Sequence, residues 1–162
     1  MTFDWTIVAR AAHVLGVVIW IGGVGFVTAV LLPAIRAMED PHHQANIFEH
    51  LESKFAWTAR AMVLLVGISG LYMLWALDLW DRFIVLQFWW MHAMVAIWTV
   101  FAAILFIAEP LFLHQRFKQK VRTDPQGTFK VVQRLHWALL AASLITVAGA
   151  VAGAHGLSLF DP

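Results

Sequence analysis

Four stretches of this chain contain no Asp, Glu, Lys or Arg: Ala11 to Ile35, Ala61 to Leu77, Phe83 to Ala108 and Leu135 to Phe160. A helix needs about 20 residues, at about 1.5 Å rise each, to cross the roughly 30 Å hydrocarbon layer of a bilayer. The first, third and fourth runs meet that length. The second meets it when Arg60 and the residues before it lie at the interface. Membrane strands would show alternating polarity, which these continuous runs lack. Charged residues make up 13% of the chain and hydrophobic ones 61%, with a mean hydropathy of +0.75. Soluble domains carry about 25% charged residues, so these charges are too few to tile a water-facing surface. A disordered chain would need the opposite balance. The expected fold is an all-α, integral membrane four-helix bundle. It forms a single domain over residues 1–162, with spans at about 5–32, 57–80, 83–108 and 131–157.

The charges lie between the runs, and their placement orients the bundle. Arg36, Lys54 and Arg60 fall between the first two spans, and Arg116, Lys118, Lys120, Arg122, Lys130 and Arg134 between the last two. The opposite side offers Arg10 and Arg82. Lys and Arg are retained on the cytoplasmic side, so both longer connectors are expected there and both termini on the periplasmic side of a bacterial inner membrane. The first run exceeds the apolar core of about 7 to 15 residues in a secretory signal, and three more spans follow it, so it is expected to stay in the mature protein. Pro33 marks the end of the first span and Pro110 the end of the third, while Asp124, Pro125 and Gly127 mark a turn. Ile47, Phe48, Leu51 and Phe55 repeat at helical spacing with Glu49, Glu52 and Lys54 between them. This pattern predicts a short amphipathic cytoplasmic helix before the second span or, equally, a continuation of that span beyond the membrane.

Glycines mark sites where helices can approach closely: Gly16, Gly22, Gly23 and Gly25 in the first span, Gly67 and Gly70 in the second, Gly149, Gly153 and Gly156 in the fourth. Gly149 and Gly153 form a GxxxG, which serves either packing within the bundle or the face of a homodimer. Trp5, Trp57, Trp80 and Trp137 sit near span ends, where indole rings anchor at headgroups. Trp20, Trp75, Trp89, Trp90 and Trp98 lie deeper, facing lipid, core or a cofactor.

With no cysteine, eight histidines are the plentiful metal-binding groups. By helical rise, His13 lies about 9 Å and His92 about 5 Å on the outer side of the midplane. His136 is displaced from them by about 17 to 21 Å toward the other face, and His155 lies about 16 Å out. His42, His43, His50 and His114 belong to the cytoplasmic edge. Ionisable groups inside a bilayer are expensive and mark either a function or an internal partner. For His13 and His92 the two readings are interhelical hydrogen bonds or axial ligation of a haem b, whose porphyrin needs an apolar slot between helices. Gly16 and Trp20 follow His13 on the same helix face, and Trp89 precedes His92 by one turn. Arg10, one turn before His13, suits a haem propionate or a lipid phosphate. His136 is read as structural, proton-handling or the ligand of a second metal. His155 is read as an interface residue or a further ligand. Arg60 and Arg134 are placed to pair with Glu49, Glu52 or Glu109.

The chain holds no Gly-rich nucleotide loop, no HExxH, no EF-hand loop and no serine nucleophile elbow. The basic connector suits anionic membrane lipid and gives no indication of nucleic acid. A Cu(I) path would favour soft ligands, and Met62, Met73, Met91 and Met94 are those within the spans.

The first span, RAAHVLGVVIWIGGVGF, resembles that of the CopD-like and HemJ-like small four-helix membrane proteins, as do MHAMVAIW from Met91 and QRLHWALL from Gln133. The resemblance implies a bacterial inner-membrane protein associated with haem b or copper, His13 having the haem-associated role. HemJ-like members are linked to protoporphyrinogen oxidation, whereas Gly22 and Gly23 after Ile21 are closer to the CopD-like branch. The resulting expectation is a haem b redox carrier or oxidoreductase, with quinone, a porphyrinogen or another redox protein as partner. The alternative is copper binding or transport.

Overall fold

A computed structural model describes residues 4–113, 119–121 and 123–157, which contain helices and no strand. Of the basic connector, His114, Arg116, Lys118 and Arg122 lie outside the described residues. Four helices are long and apolar enough to cross a membrane. We label them α1 (Trp5–Arg36), α2 (Pro41–Ala76), α3 (89–113) and α4 (Pro125–Ala154). α1 packs most extensively along α2, α3 packs along α4, and lighter contacts of α1 with α4 and α2 with α3 close an up-down-up-down bundle. The outward faces are apolar, with Val18, Ile68, Trp75 and Ile145 exposed.

Asp4 starts α1. Its carboxylate accepts from Thr6 Oγ1 at 2.6 Å and from the Thr6 amide at 2.9 Å, filling one of the donors left open at a helix start. The same bonds hold the Asp4 carboxyl below its ordinary pKa.

Two helices run past the prolines expected to end them, and both do so by the same device. α1 widens into a π-helical turn at Val27–Leu31 before continuing through Pro33 to Arg36. α3 turns π-helical over Ile104–Leu113, with Pro110 inside. In π geometry the amide of residue i+5 bonds the carbonyl of residue i, so Pro33 leaves Thr28 O open and Pro110 leaves Leu105 O open. Each is taken by a side chain from another helix. Gln133 Nε2 of α4 donates to Thr28 O at 3.5 Å, and Arg60 Nε of α2 donates to Leu105 O at 3.1 Å. In a medium without water this is how a proline within a span becomes tolerable.

α2 is one unbroken helix of 36 residues. The Ile47–Phe55 stretch is therefore its first half, continuous with the span. Phe48 is buried there against Phe129 of α4, edge to face at 5.4 Å. α2 ends at Ala76, short of the expected Trp80, because the chain enters the left-handed region at Asp78 (φ 47). The Leu79 amide bonds Leu74 O at 3.1 Å and the Asp78 amide bonds Trp75 O at 3.4 Å, a Schellman pair. Glycine occupies such a position without the Cβ conflict that Asp78 carries. Asp78→Gly should therefore stabilise the fold by about 1 kcal/mol in a reversible unfolding titration, and a loss of stability would show that the carboxylate has its own role.

Aromatic and branched side chains occupy the glycine positions. A Cβ at Gly23 would collide with the Phe55 ring, and one at Gly67 would meet Trp98 Cζ2 at 2.6 Å. Trp98 Nε1 meanwhile donates to Val63 O at 2.8 Å. Gly149 and Gly153 receive the rings of Trp89 and Trp90, so the GxxxG surface is covered from within the chain.

Candidate functional site

His13 projects from α1 toward α2. Its Nδ1 lies 3.0 Å from Val66 O and 3.2 Å from Ser69 Oγ. A carbonyl oxygen can only accept, so the proton of a neutral ring sits on Nδ1 and the lone pair on Nε2. Ser69 is buried and donates to Leu65 O at 2.6 Å, its position fixed by its own helix. Gly70 makes the approach possible: a Cβ there would lie 3.2 Å from His13 Cε1. Val66, Ser69 and Gly70 are thus the residues that orient the imidazole. The sequence marks Gly70 as a point of close approach and carries nothing that ties it to His13, because the acceptor is a backbone carbonyl.

The other expected site residues distribute around this imidazole as follows. Gly16, one turn along α1, faces Val66 and Leu65, with Val66 Cγ2 at 2.9 Å from a Cβ placed there. The space at Gly16 is therefore filled by α2. Trp20 is buried and stands edge-on to Phe101 of α3 at 4.8 Å, and these two rings join α1 and α3 across the bundle. Its Nε1 is the single buried side-chain polar atom without a partner among the described residues. An unmet buried donor costs about 1–3 kcal/mol and is uncommon in a native core.

His92 is exposed and uses the opposite nitrogen. Its Nε2 donates to Phe83 O at 2.9 Å, with the Phe83 ring edge-on at 5.3 Å, so it is held by the turn Trp80–Phe83 that precedes α3. His13 and His92 therefore have different partners, and Trp89 turns to Gly149 of α4. Arg10 is exposed one turn before His13. His155 caps α4, where Gly156 takes φ 86, and its Nδ1 donates to Val151 O at 2.8 Å. His136 lies toward the other end of α4 and donates from Nδ1 to Val132 O at 2.9 Å.

The donor chemistry at His13 suits a metal-ligating imidazole. A ligating histidine ordinarily gives its distal N–H to a carbonyl, which fixes the ring and strengthens the ligating nitrogen. His13 has that arrangement across a helix interface. His136 and His155 have it within one helix, which orients the ring to its own backbone alone. At His92 the remaining lone pair is on Nδ1, beside the Cβ, so ligation through Nε2 requires exchange of the Phe83 bond. Among the described residues no group of three or more His, Asp or Glu side chains gathers as a metal cluster.

No protein-family model, curated protein or solved structure matches the chain. The fold and side chains define a helical protein with four helices able to cross a membrane, whose most constrained inward-facing imidazole is His13.

Proposed function

We propose that the protein is a haem b-binding redox protein of the bacterial inner membrane. In this reading it has both termini on the periplasmic side and exchanges electrons with quinone, a porphyrinogen or another redox protein. The observation that carries it is the His13 imidazole, oriented by Val66 O and Ser69 and left with a lone pair on Nε2. The excess of Lys and Arg in the two longer connectors supports the orientation.

In this proposal His13 would hold the iron through Nε2, and His92 would be the second histidine to hold it, once its Nε2 is released from Phe83 O. Bound haem b would supply a one-electron couple, which two imidazole ligands favour over oxygen chemistry. Val66 O holds the His13 proton on Nδ1, which raises the basicity of the ligating nitrogen. Arg10 offers a cation at the outer edge for a carboxylate. The apolar outer faces keep water and bulk ions away from the site.

Detergent-purified full-length protein tests the proposal through its reduced-minus-oxidised spectrum and its haem-to-protein ratio. A Soret band and a sharp reduced α-band of the b type at about one haem per chain is the expected result. Colourless protein that retains copper would overturn it in favour of the copper reading.

A further inference from the structure

The end of the bundle that carries the basic connectors contains a cavity of about 220 Å³, lined by Arg36, Gln44, Gln126, Phe129 and Lys130. It opens where the end of α1 meets the starts of α2 and α4. Phe129, fully buried, forms its apolar base, and Gln44 is buried to all but 5% of its surface. Gln44 Nε2 donates to Met38 O at 2.6 Å, which fixes the amide and leaves its oxygen as an acceptor. Arg36 Nη1 donates to Gln133 Oε1, and among the described residues the rest of its guanidinium donors are open to a ligand. Among the described residues neither Arg36 nor Lys130 forms a salt bridge.

Two cations facing one cavity, with no acidic partner among the described residues, call for an anion. A molecule of liquid water takes about 30 Å³, so the space corresponds to roughly seven waters and exceeds what a small inorganic ion needs. The amide groups of Gln44 and Gln126 suit hydroxyls, which both give and accept hydrogen bonds. The geometry points to a binding site for a phosphate diester or monoester that carries hydroxyl groups, with the phosphate on Arg36 and Lys130 and the hydroxyls on the two glutamines. Arginine's planar fork suits two phosphate oxygens, and lysine adds a point charge. The phosphoglycerol unit has this chemistry, either as the headgroup of a membrane lipid or as a free phosphate ester. The site lies just beyond the apolar run of α1, at headgroup depth if the bundle spans a membrane, which favours the lipid source. It is independent of any haem, being at the opposite end of α1 from His13.

The test uses full-length protein in neutral detergent, with binding read by native mass spectrometry and by thermal midpoint. The probes are dioleoylphosphatidylglycerol, dioleoylphosphatidylcholine, glycerol 3-phosphate and inorganic phosphate. Phosphatidylglycerol should bind at one copy per chain and raise the midpoint, with phosphatidylcholine at least about tenfold weaker. Lys130→Gln should weaken phosphatidylglycerol about tenfold, the cost of one charge-assisted contact. Lys130 is exposed and makes no hydrogen bond among the described residues, so this variant should leave the fold intact, whereas Arg36→Gln also releases Gln133. Lys54→Gln, an exposed cation outside the cavity, should bind as wild type. Tight binding of glycerol 3-phosphate or phosphate, lost in Lys130→Gln, would assign the same site to a soluble ester. Unchanged phosphatidylglycerol binding in Lys130→Gln, an equal loss in Lys54→Gln, or no binding of any phosphate probe would overturn the proposal.

Discussion

His13→Ala is expected to strip the purified protein of its b-type spectrum and to bring its haem content close to zero. On the proposed function the oriented imidazole would be the ligand, and alanine leaves Val66 O and Ser69 without it. His92→Ala should act differently. Haem held by His13 alone loses one strong-field ligand, so the low-spin signature should disappear while part of the haem is retained. His136→Ala, some 17 to 21 Å away along the membrane normal by helical rise, should leave a low-spin spectrum in place. Wild-type haem stoichiometry and an unchanged spectrum in His13→Ala would return His13 to a hydrogen-bonding role between α1 and α2.

Loss of Arg60 should be the most damaging single change to the fold outside the core. Its guanidinium forms the ion pair with Glu109 and caps Leu105 O, the carbonyl orphaned by Pro110. Removing one partner of a largely buried ion pair costs about 3–5 kcal/mol. The two side chains are 19% and 23% exposed, so screening places the expected loss near the lower end, about 3 kcal/mol. Glu109→Gln keeps an acceptor for Arg60 and should cost less. The double change Arg60→Met with Glu109→Met should cost less than the sum of the two methionine singles, because it leaves neither charge unpaired. Reversible unfolding in mixed micelles measures all four states of that cycle, and strict additivity would show that the pair is not coupled.

The four helices are legible in the sequence because charge depletion over such lengths has few structural solutions. Their ends are less so. Pro33 and Pro110 read as stops from local rules, and both are overridden by side chains more than 40 residues distant, Gln133 and Arg60. Asp78 ends α2 in a conformation for which glycine is the usual signal. The pairing of Arg60 stood among several options in the sequence, and the structure selects Glu109. At the candidate site, the chemical type of His13 is visible from the sequence, but its orienting partner is a main-chain oxygen. Depth alone suggested that His13 and His92 form a pair. Depth says nothing of rotation about the helix axis, and in the structure the two rings are held by different elements.

The grouping of α1 with α2 and of α3 with α4 bears on how the chain is made. The α1–α2 hairpin takes its glycine contacts to Val66, Phe55 and His13 from its own two helices, all of which precede Trp89 in the chain. The second hairpin closes on itself through Trp89 and Trp90, and Trp20, Trp98 and Phe101 join the two halves. Each hairpin thus carries packing of its own, and entry into a bilayer as two successive pairs would leave no span without a neighbour.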